Sequence, residues 1–224
     1  MKQFLYQKTT LPYLLSGSDP RILITSGFHG DETEVIDLLT EIVRLYQNKL
    51  PPFLYIPIAC PSAVSKGTRH NKNNADINRS YFPTSSDEEV QAMIELLKPY
   101  QFESAYSFHE DPTQKAFYLY NEGLRLPNKT IETLQNRLTE NNIALLNGID
   151  DPIDPTLGLL FTNGYRHIAM DTNGFIKNGF FPEYLFAEKK TQQGFTIEIP
   201  GQLQKQQKKL IVELFFQTLF VSSS

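Results

Sequence analysis

Tryptophan is absent from the 224 residues, and cysteine occurs once, as Cys60. A lone thiol cannot form an internal disulfide, and it rules out a cysteine-rich metal site, so any metal must be held by histidine and carboxylate. Positive charge is also in short supply. There are 21 Lys+Arg against 25 Asp+Glu, for a net charge of -4. With the basic residues dispersed, the electrostatic footprint of a nucleic-acid binder is missing, and a small soluble substrate is the expected partner. No apolar run approaches the length needed to span a bilayer, so no membrane partner is expected. Residues 1–8 lose their apolar character too early for a signal-peptide core. Cytoplasm is the default compartment, and the pattern sets no oligomeric state.

What is present suffices for one well-packed core. Hydrophobic residues make up 40% of the chain, which fits a single domain over 1–224 better than two. Short strands are expected at 3–7 and 11–15, followed by a buried strand at 21–26, a helix at about 31–48 and a second buried strand at 53–58. Strand, helix and strand in that order form a βαβ unit, so the sheet should be parallel at its centre. Residues 61–82 lose all periodicity and read as a long ordered loop anchored by Ile77, Tyr81 and Phe82. Asp87 is placed to cap a helix at 88–98. A strand at 104–108, an apolar segment at 116–120 and a helix around 128–141 follow. Residues 147–158 form a turn-rich loop carrying Asp150, Asp151 and Asp154, read as solvated or as a rim attracting a cationic substrate. Residues 159–190 read only as short strands. A strand at 195–199 and a closing helix carrying Leu210, Ile211, Leu214 and Phe215 complete the chain. The fold class is α/β: a mixed, centrally parallel twisted sheet with helices on both faces.

The chemistry concentrates where the strand at 21–26 hands over to its helix, at Gly27-Phe28-His29-Gly30-Asp31-Glu32. Carboxyl ends of strands are where open α/β sheets place their sites. His29 and Glu32 are three apart, so one helical turn can bring imidazole and carboxylate to a common point. By itself such a pair is more often a polar surface turn. His109, directly after the strand at 104–108, adds a third donor. Two histidines and one carboxylate, with a fourth position for water, form the pattern of a catalytic zinc ion and not of a closed structural one.

Four motifs in order now extend from residue 22 to residue 199: His29-x-x-Glu32 after a strand, Gly67-Thr68-Arg69 through Asp76-Ile77-Asn78-Arg79, His109 after a strand, and Thr196-Ile197-Glu198. In this the chain resembles the zinc carboxypeptidase family, the carboxypeptidase A-like group that includes bacterial muropeptide peptidases and the related aspartoacylase and succinylglutamate desuccinylase enzymes. The resemblance implies one zinc ion on His29, Glu32 and His109, with Glu198 as general base. It implies that Arg69 polarises the scissile carbonyl and that Asn78 and Arg79 hold the substrate's terminal carboxylate. The implied activity is zinc-dependent cleavage of an amide next to a free carboxylate, in a peptide or cell-wall peptide fragment. The alternatives are deacylation of an N-acyl amino acid, and a catalytically silent binding module on the same fold.

Two departures stand out. Glu110 and Asp111 follow His109 where digestive carboxypeptidases place a small hydroxyl residue; they could orient His109, select a substrate amine or face solvent. The aromatic residue that closes over substrate has no aligned counterpart, with Tyr165 and Tyr184 as candidates better suited to packing. His70 and His167 read as ordinary polar groups.

Overall fold

The computed structural model of the protein describes residues 1–154, 156–170 and 173–221. The strands β3 (Ile22–Thr25) and β4 (Phe53–Ile56) are buried at every position, as continuous apolar runs must be when a parallel sheet is covered on both faces. They pair in parallel across the helix α1 (Thr33–Tyr46). Alternation then sorts their side chains between two layers. Ile22, Ile24, Phe53 and Tyr55 pack with α1, with α4 (Asn128–Glu140) and with the closing helix α6 (Lys205–Phe216). Leu23, Leu54 and Ile56 point the other way, toward α2 (Pro61–Lys66), α3 (Glu88–Leu97) and α5 (Phe181–Ala187).

Among the described residues the main sheet has eight strands. The edge hairpin of β1 (Lys2–Tyr6) and β2 (Thr9–Leu15) leads through β4 and β3 to β5 (Ser104–Asp111), β10 (Gln193–Pro200), β6 (Tyr118–Gly123) and β9 (Tyr165–Ile168). A two-stranded ribbon of β7 (Gly148–Ile149) and β8 (Leu160–Phe161) lies outside it. The central run from β4 to β10 is parallel, while β10 and β6 are antiparallel. The expected α/β class, with a mixed sheet and helices on both faces, is therefore what the chain adopts.

Several local readings need correction. Residues 61–82 contain α2 and a 3-10 turn at Ile77–Arg79. The helix α2 has Pro61 in its first turn and ends on Gly67 in the left-handed conformation, whose N–H meets the Ala63 and Val64 carbonyls. Only Ala63 of its six residues is fully buried, so it leaves no apolar stripe to read. The loop's anchors are Ile77 and Tyr81, whereas Phe82 is exposed. The helix α5 was hidden for the opposite reason, since five of its seven residues are buried and no polar face marks a period. The strand β5 runs on to Asp111, so His109 lies within it and not beyond it. Asp87 caps α3 as expected, accepting from Glu89 N–H at 2.9 Å. The apolar segment expected at 116–120 becomes β6, which pairs with β10 and is separated by it from β5, its predecessor in the chain.

Candidate active site

The turn after β3 is shaped by two glycines. Gly27 has φ of +66°, and a Cβ on it would meet the Pro57 carbonyl oxygen at 2.7 Å. A Cβ on Gly30 would lie 1.9 Å from the Ala63 carbonyl oxygen, so α2 seats directly on the turn. Gly30 N–H donates to the Thr68 carbonyl at 2.9 Å. That contact brings Arg69 alongside His29.

His29, Glu32 and His109 are all buried, and one donor atom from each lies within 4.8 Å of the others. His29 Nδ1 is 2.5 Å from Glu32 Oε1, and His109 Nδ1 is 3.3 Å from Glu32 Oε2. The far nitrogens are held elsewhere. His29 Nε2 is 3.1 Å from Asp76 Oδ1, and His109 Nε2 is 3.1 Å from Ser107 Oγ. Glu32 Oε2 is buried, with the 3.3 Å approach of His109 Nδ1 and no well-aligned hydrogen bond among the described residues. Two imidazoles aimed inward, each fixed through its outer nitrogen, and a carboxylate with a spare oxygen fit a metal ion of the zinc type.

Electrostatics agree with that fit. Burial opposes charge on His29, but hydrogen bonds and charge from Asp76 and Glu32 outweigh it and raise the imidazole to about 9. Burial likewise works against Glu32, yet His109 and His29 hold it down at about 2. An incoming cation therefore finds an ionised carboxylate and must displace the His29 proton, so its uptake should release a proton and weaken as pH falls below about 9. Asp76→Asn removes the anion that orients His29. We expect it to lower zinc affinity roughly 10- to 100-fold in competition with a chromophoric chelator, and an unchanged affinity would remove Asp76 from that role.

Glu198 reaches this cluster from β10. In register it lies beside His109 on one side and Tyr118 on the other. It lines a cleft of about 1030 Å3 together with the three clustered residues, Arg69, Asn78 and Arg79. Burial pushes its carboxyl up to about 7; His109 opposes the shift and the charges of Glu32 and Asp111 add to it. Arg69 Nη2 donates to Asp76 Oδ2 at 2.8 Å, with Nη1 3.4 Å from His29 Nδ1. Arg79 binds Asp154 Oδ2 at 2.7 Å and Thr156 Oγ1 at 3.1 Å, and its guanidinium stacks over Phe180. Asn78 Oδ1 is buried with no hydrogen-bond partner among the described residues. All seven residues singled out in the sequence thus border one cleft.

Other candidates fall outside that role. Glu110 accepts from Lys208 Nζ at 2.8 Å, and Asp111 accepts from Tyr118 OH at 2.7 Å, so neither orients His109. Ser107 does so, from the same face of β5. Asp150 is buried, accepting from Tyr120 OH and from Leu159 N–H, and Asp154 is taken by Arg79. Asp151 and Asp154 accept from the N–H groups of Ile153 and Thr156 in Asx-turns, as the turn-rich reading expects, and all three acids border the cleft, Asp150 alone being buried. Tyr184 packs in the core against Tyr81, and Tyr165 OH donates to Asn121 Oδ1; neither borders the cleft. His167 Nε2 lies 2.8 Å from the Gly123 carbonyl, while His70 is an exposed residue at the cleft. Sequence reasoning assigned no role to Asp76, Ser107, Thr196 or Glu122. Asp76 and Thr196 lay inside recognised motifs, and Ser107 could have been found two residues before His109, on its face of the strand.

A fold with a buried His-Glu-His cluster at the carboxyl ends of central strands, faced by a carboxylate from an adjoining strand, defines a metallohydrolase-like protein. The family model for the succinylglutamate desuccinylase/aspartoacylase catalytic domain matches residues 18–142, and the chain belongs to that family. The match includes all the clustered residues and the Arg69 to Arg79 loop but stops short of Glu198. No curated protein matches the sequence. Among solved structures, a Shewanella amazonensis protein assigned as a metallopeptidase superposes with a TM-score of 0.75 at 19% identity, over 97% of this chain and 84% of its own. An aspartoacylase family protein from Mesorhizobium loti gives a TM-score of 0.59 at 18% identity, over 96% and 63%. A murein-tripeptide amidase from Escherichia coli gives 0.59 at 16% identity, over 94% and 86%. These likenesses establish a shared fold. No helix among the described residues is long and apolar enough to cross a membrane.

Proposed function

We propose that the protein is a zinc-dependent hydrolase that cleaves an amide bond next to a free carboxylate, in a peptide or cell-wall peptide fragment. The observation that carries this reading is the convergence of His29, Glu32 and His109 within 4.8 Å, with Glu198 in register beside His109. Held by those three residues, zinc would supply a Lewis acid that acidifies water and polarises a carbonyl. Glu198 accepts the proton of the attacking water and delivers it to the leaving nitrogen, so that the C–O bond forms, the C–N bond breaks and an amine and a carboxylate are released. Arg69 stabilises the negative charge developing on the carbonyl oxygen. Arg79 and Asn78 receive the substrate's carboxylate, with Asp154 occupying Arg79 until substrate replaces it.

The alternative reading, deacylation of an N-acyl amino acid, is kept because the description of the family model names two such deacylases. Both reactions use the same groups. Metal analysis followed by parallel assay of short peptides, muropeptide fragments and N-acyl amino acids separates them. A protein that takes up no stoichiometric zinc would be the silent binding module instead, and a zinc-loaded protein inert toward every substrate would overturn both hydrolase readings.

Arg79→Ala tests the carboxylate anchor. We expect KM for substrates with a free carboxylate to rise roughly 10- to 100-fold while their amidated counterparts change little. An equal loss on both would remove Arg79 from that assignment.

A further inference from the structure

The cleft continues past Glu198 along the face shared by β10 and β6. Register pairs Glu198 with Tyr118, Thr196 with Tyr120 and Gly194 with Glu122, so all six positions face the same side of the sheet. Glu122 is the deepest charged group there, at 4% exposure, and it borders the cleft. Its Oε1 accepts from Thr196 Oγ1 at 2.8 Å, and its Oε2 has no hydrogen-bond partner among the described residues. Gly194 makes room for it, since a Cβ there would stand 3.0 Å from Glu122 Oε2.

A buried carboxylate with a bare oxygen is costly unless something arrives to satisfy it. Nothing among the described residues of the cleft does so. Ten carboxylates and two guanidiniums line it among the described residues, and both guanidiniums, Arg69 and Arg79, already bind Asp76 and Asp154. Ile168 lies in register beside Glu122, and Met170 and Pro182 add apolar surface to the cleft, which suits a methylene chain carrying a charge at its tip. Arg79 lies over Phe180, and Pro182, two residues further on, shares a small internal gap with Gly194. Arg79 and Glu122 both border the cleft.

We propose that Glu122 is a specificity residue that binds a positively charged side chain on the amino acid released by hydrolysis, so that the substrates are amides of basic, lysine- or ornithine-like residues. The proposal rests on the hydrolase reading for its substrate but not for its binding site. Thr196 fixes the Glu122 carboxylate about two strand residues from Glu198, roughly 7 Å along the sheet, which is the reach of a lysine side chain from its own backbone. Burial pushes the free carboxyl up to about 8, with Glu198 adding to the shift against the Thr196 hydrogen bond. An arriving ammonium reverses that penalty and ionises the group.

Calorimetry on the zinc-loaded full chain, titrated with L-lysine and with L-norleucine, tests the site without turnover. Lysine should bind at least tenfold more tightly than norleucine, the range expected of a charge-assisted hydrogen bond in a desolvated pocket. Glu122→Gln keeps the shape and an acceptor for Thr196; it should remove that preference without lowering the melting temperature. Equal binding of the two amino acids by the wild type, or a preference that survives in Glu122→Gln, overturns the proposal. In the parallel assay, kcat/KM for Nα-acyl-lysine should exceed that for Nα-acyl-norleucine by a similar factor in the wild type and not in the variant. Lysine preference in calorimetry with no hydrolysis of any amide would sink the hydrolase reading and leave Glu122 in place.

Discussion

Glu198→Gln should lower kcat roughly a thousandfold, within the range of about 10²- to 10⁴-fold that a positioned general base contributes, while the protein still binds one equivalent of zinc. Glutamine keeps the shape of the side chain and its place beside His109 but cannot accept a proton. The pH profile gives an independent reading of the same role. With Glu198 raised to about 7, a base that works ionised makes the rate climb as pH rises through its pKa, and a cation bound beside it moves that inflection to lower pH. The acid limb should vanish from the residual activity of the variant. Stability moves in the opposite sense to activity. A carboxyl whose pKa in the folded protein lies above its unfolded value of 4.5 weakens the fold once pH exceeds 4.5. The metal-free variant should therefore melt no lower than the metal-free wild type at pH 8. Turnover retained within tenfold would remove Glu198 from the chemistry.

The second large effect is expected at a residue with no side chain. Gly30→Ala places a methyl 1.9 Å from the Ala63 carbonyl oxygen and 2.6 Å from Val64 N, both backbone atoms within α2. Neither can move without shifting the helix that carries the chain to Arg69. Overpacking at this level should cost about 3 kcal/mol or more, and a melting temperature lower by roughly 6–12 °C in a protein of this size. Because Gly30 N–H also donates to the Thr68 carbonyl, activity should fall even in the fraction that stays folded. Gly67→Ala is the control. There the strain comes from a φ of +63° alone, with nothing within 4 Å of the added carbon, and about 1 kcal/mol is expected. Similar losses at the two sites, measured by denaturant titration, would contradict the close approach of α2 to the turn.

Much of the fold could be read before any coordinates because burial leaves a period. Val35, Ile36, Leu39, Ile42 and Val43 recur at helical spacing and form the buried stripe of α1. The four-residue apolar runs of β3 and β4 announce strands covered on both faces. The elements that escaped were those whose burial is nearly complete or nearly absent. The helix α5 is apolar on most sides and α2 buries one residue in full, so neither shows a stripe. Asp150 looked like loop polarity because its neighbours in sequence are turn residues, yet its partners, Tyr120 and the Leu159 N–H, come from β6 and from beyond the loop's own turn.

The sequence by itself determined the donor types: with one cysteine and four histidines, a metal could only be held by imidazole and carboxylate. It also determined the strand-to-helix junction at His29 and Glu32, since that spacing is a local property of one helical turn. Tertiary structure decided what stands next to them. Insertion of β10 between β5 and β6 sets Glu198 against His109 and turns Glu122 into the floor of the same cleft. Alternation along a strand reports which face a side chain takes, but strand neighbours are chosen by the packing of segments some ninety residues apart in the case of His109 and Glu198. That choice depends on both helical layers at once, and no local pattern records it.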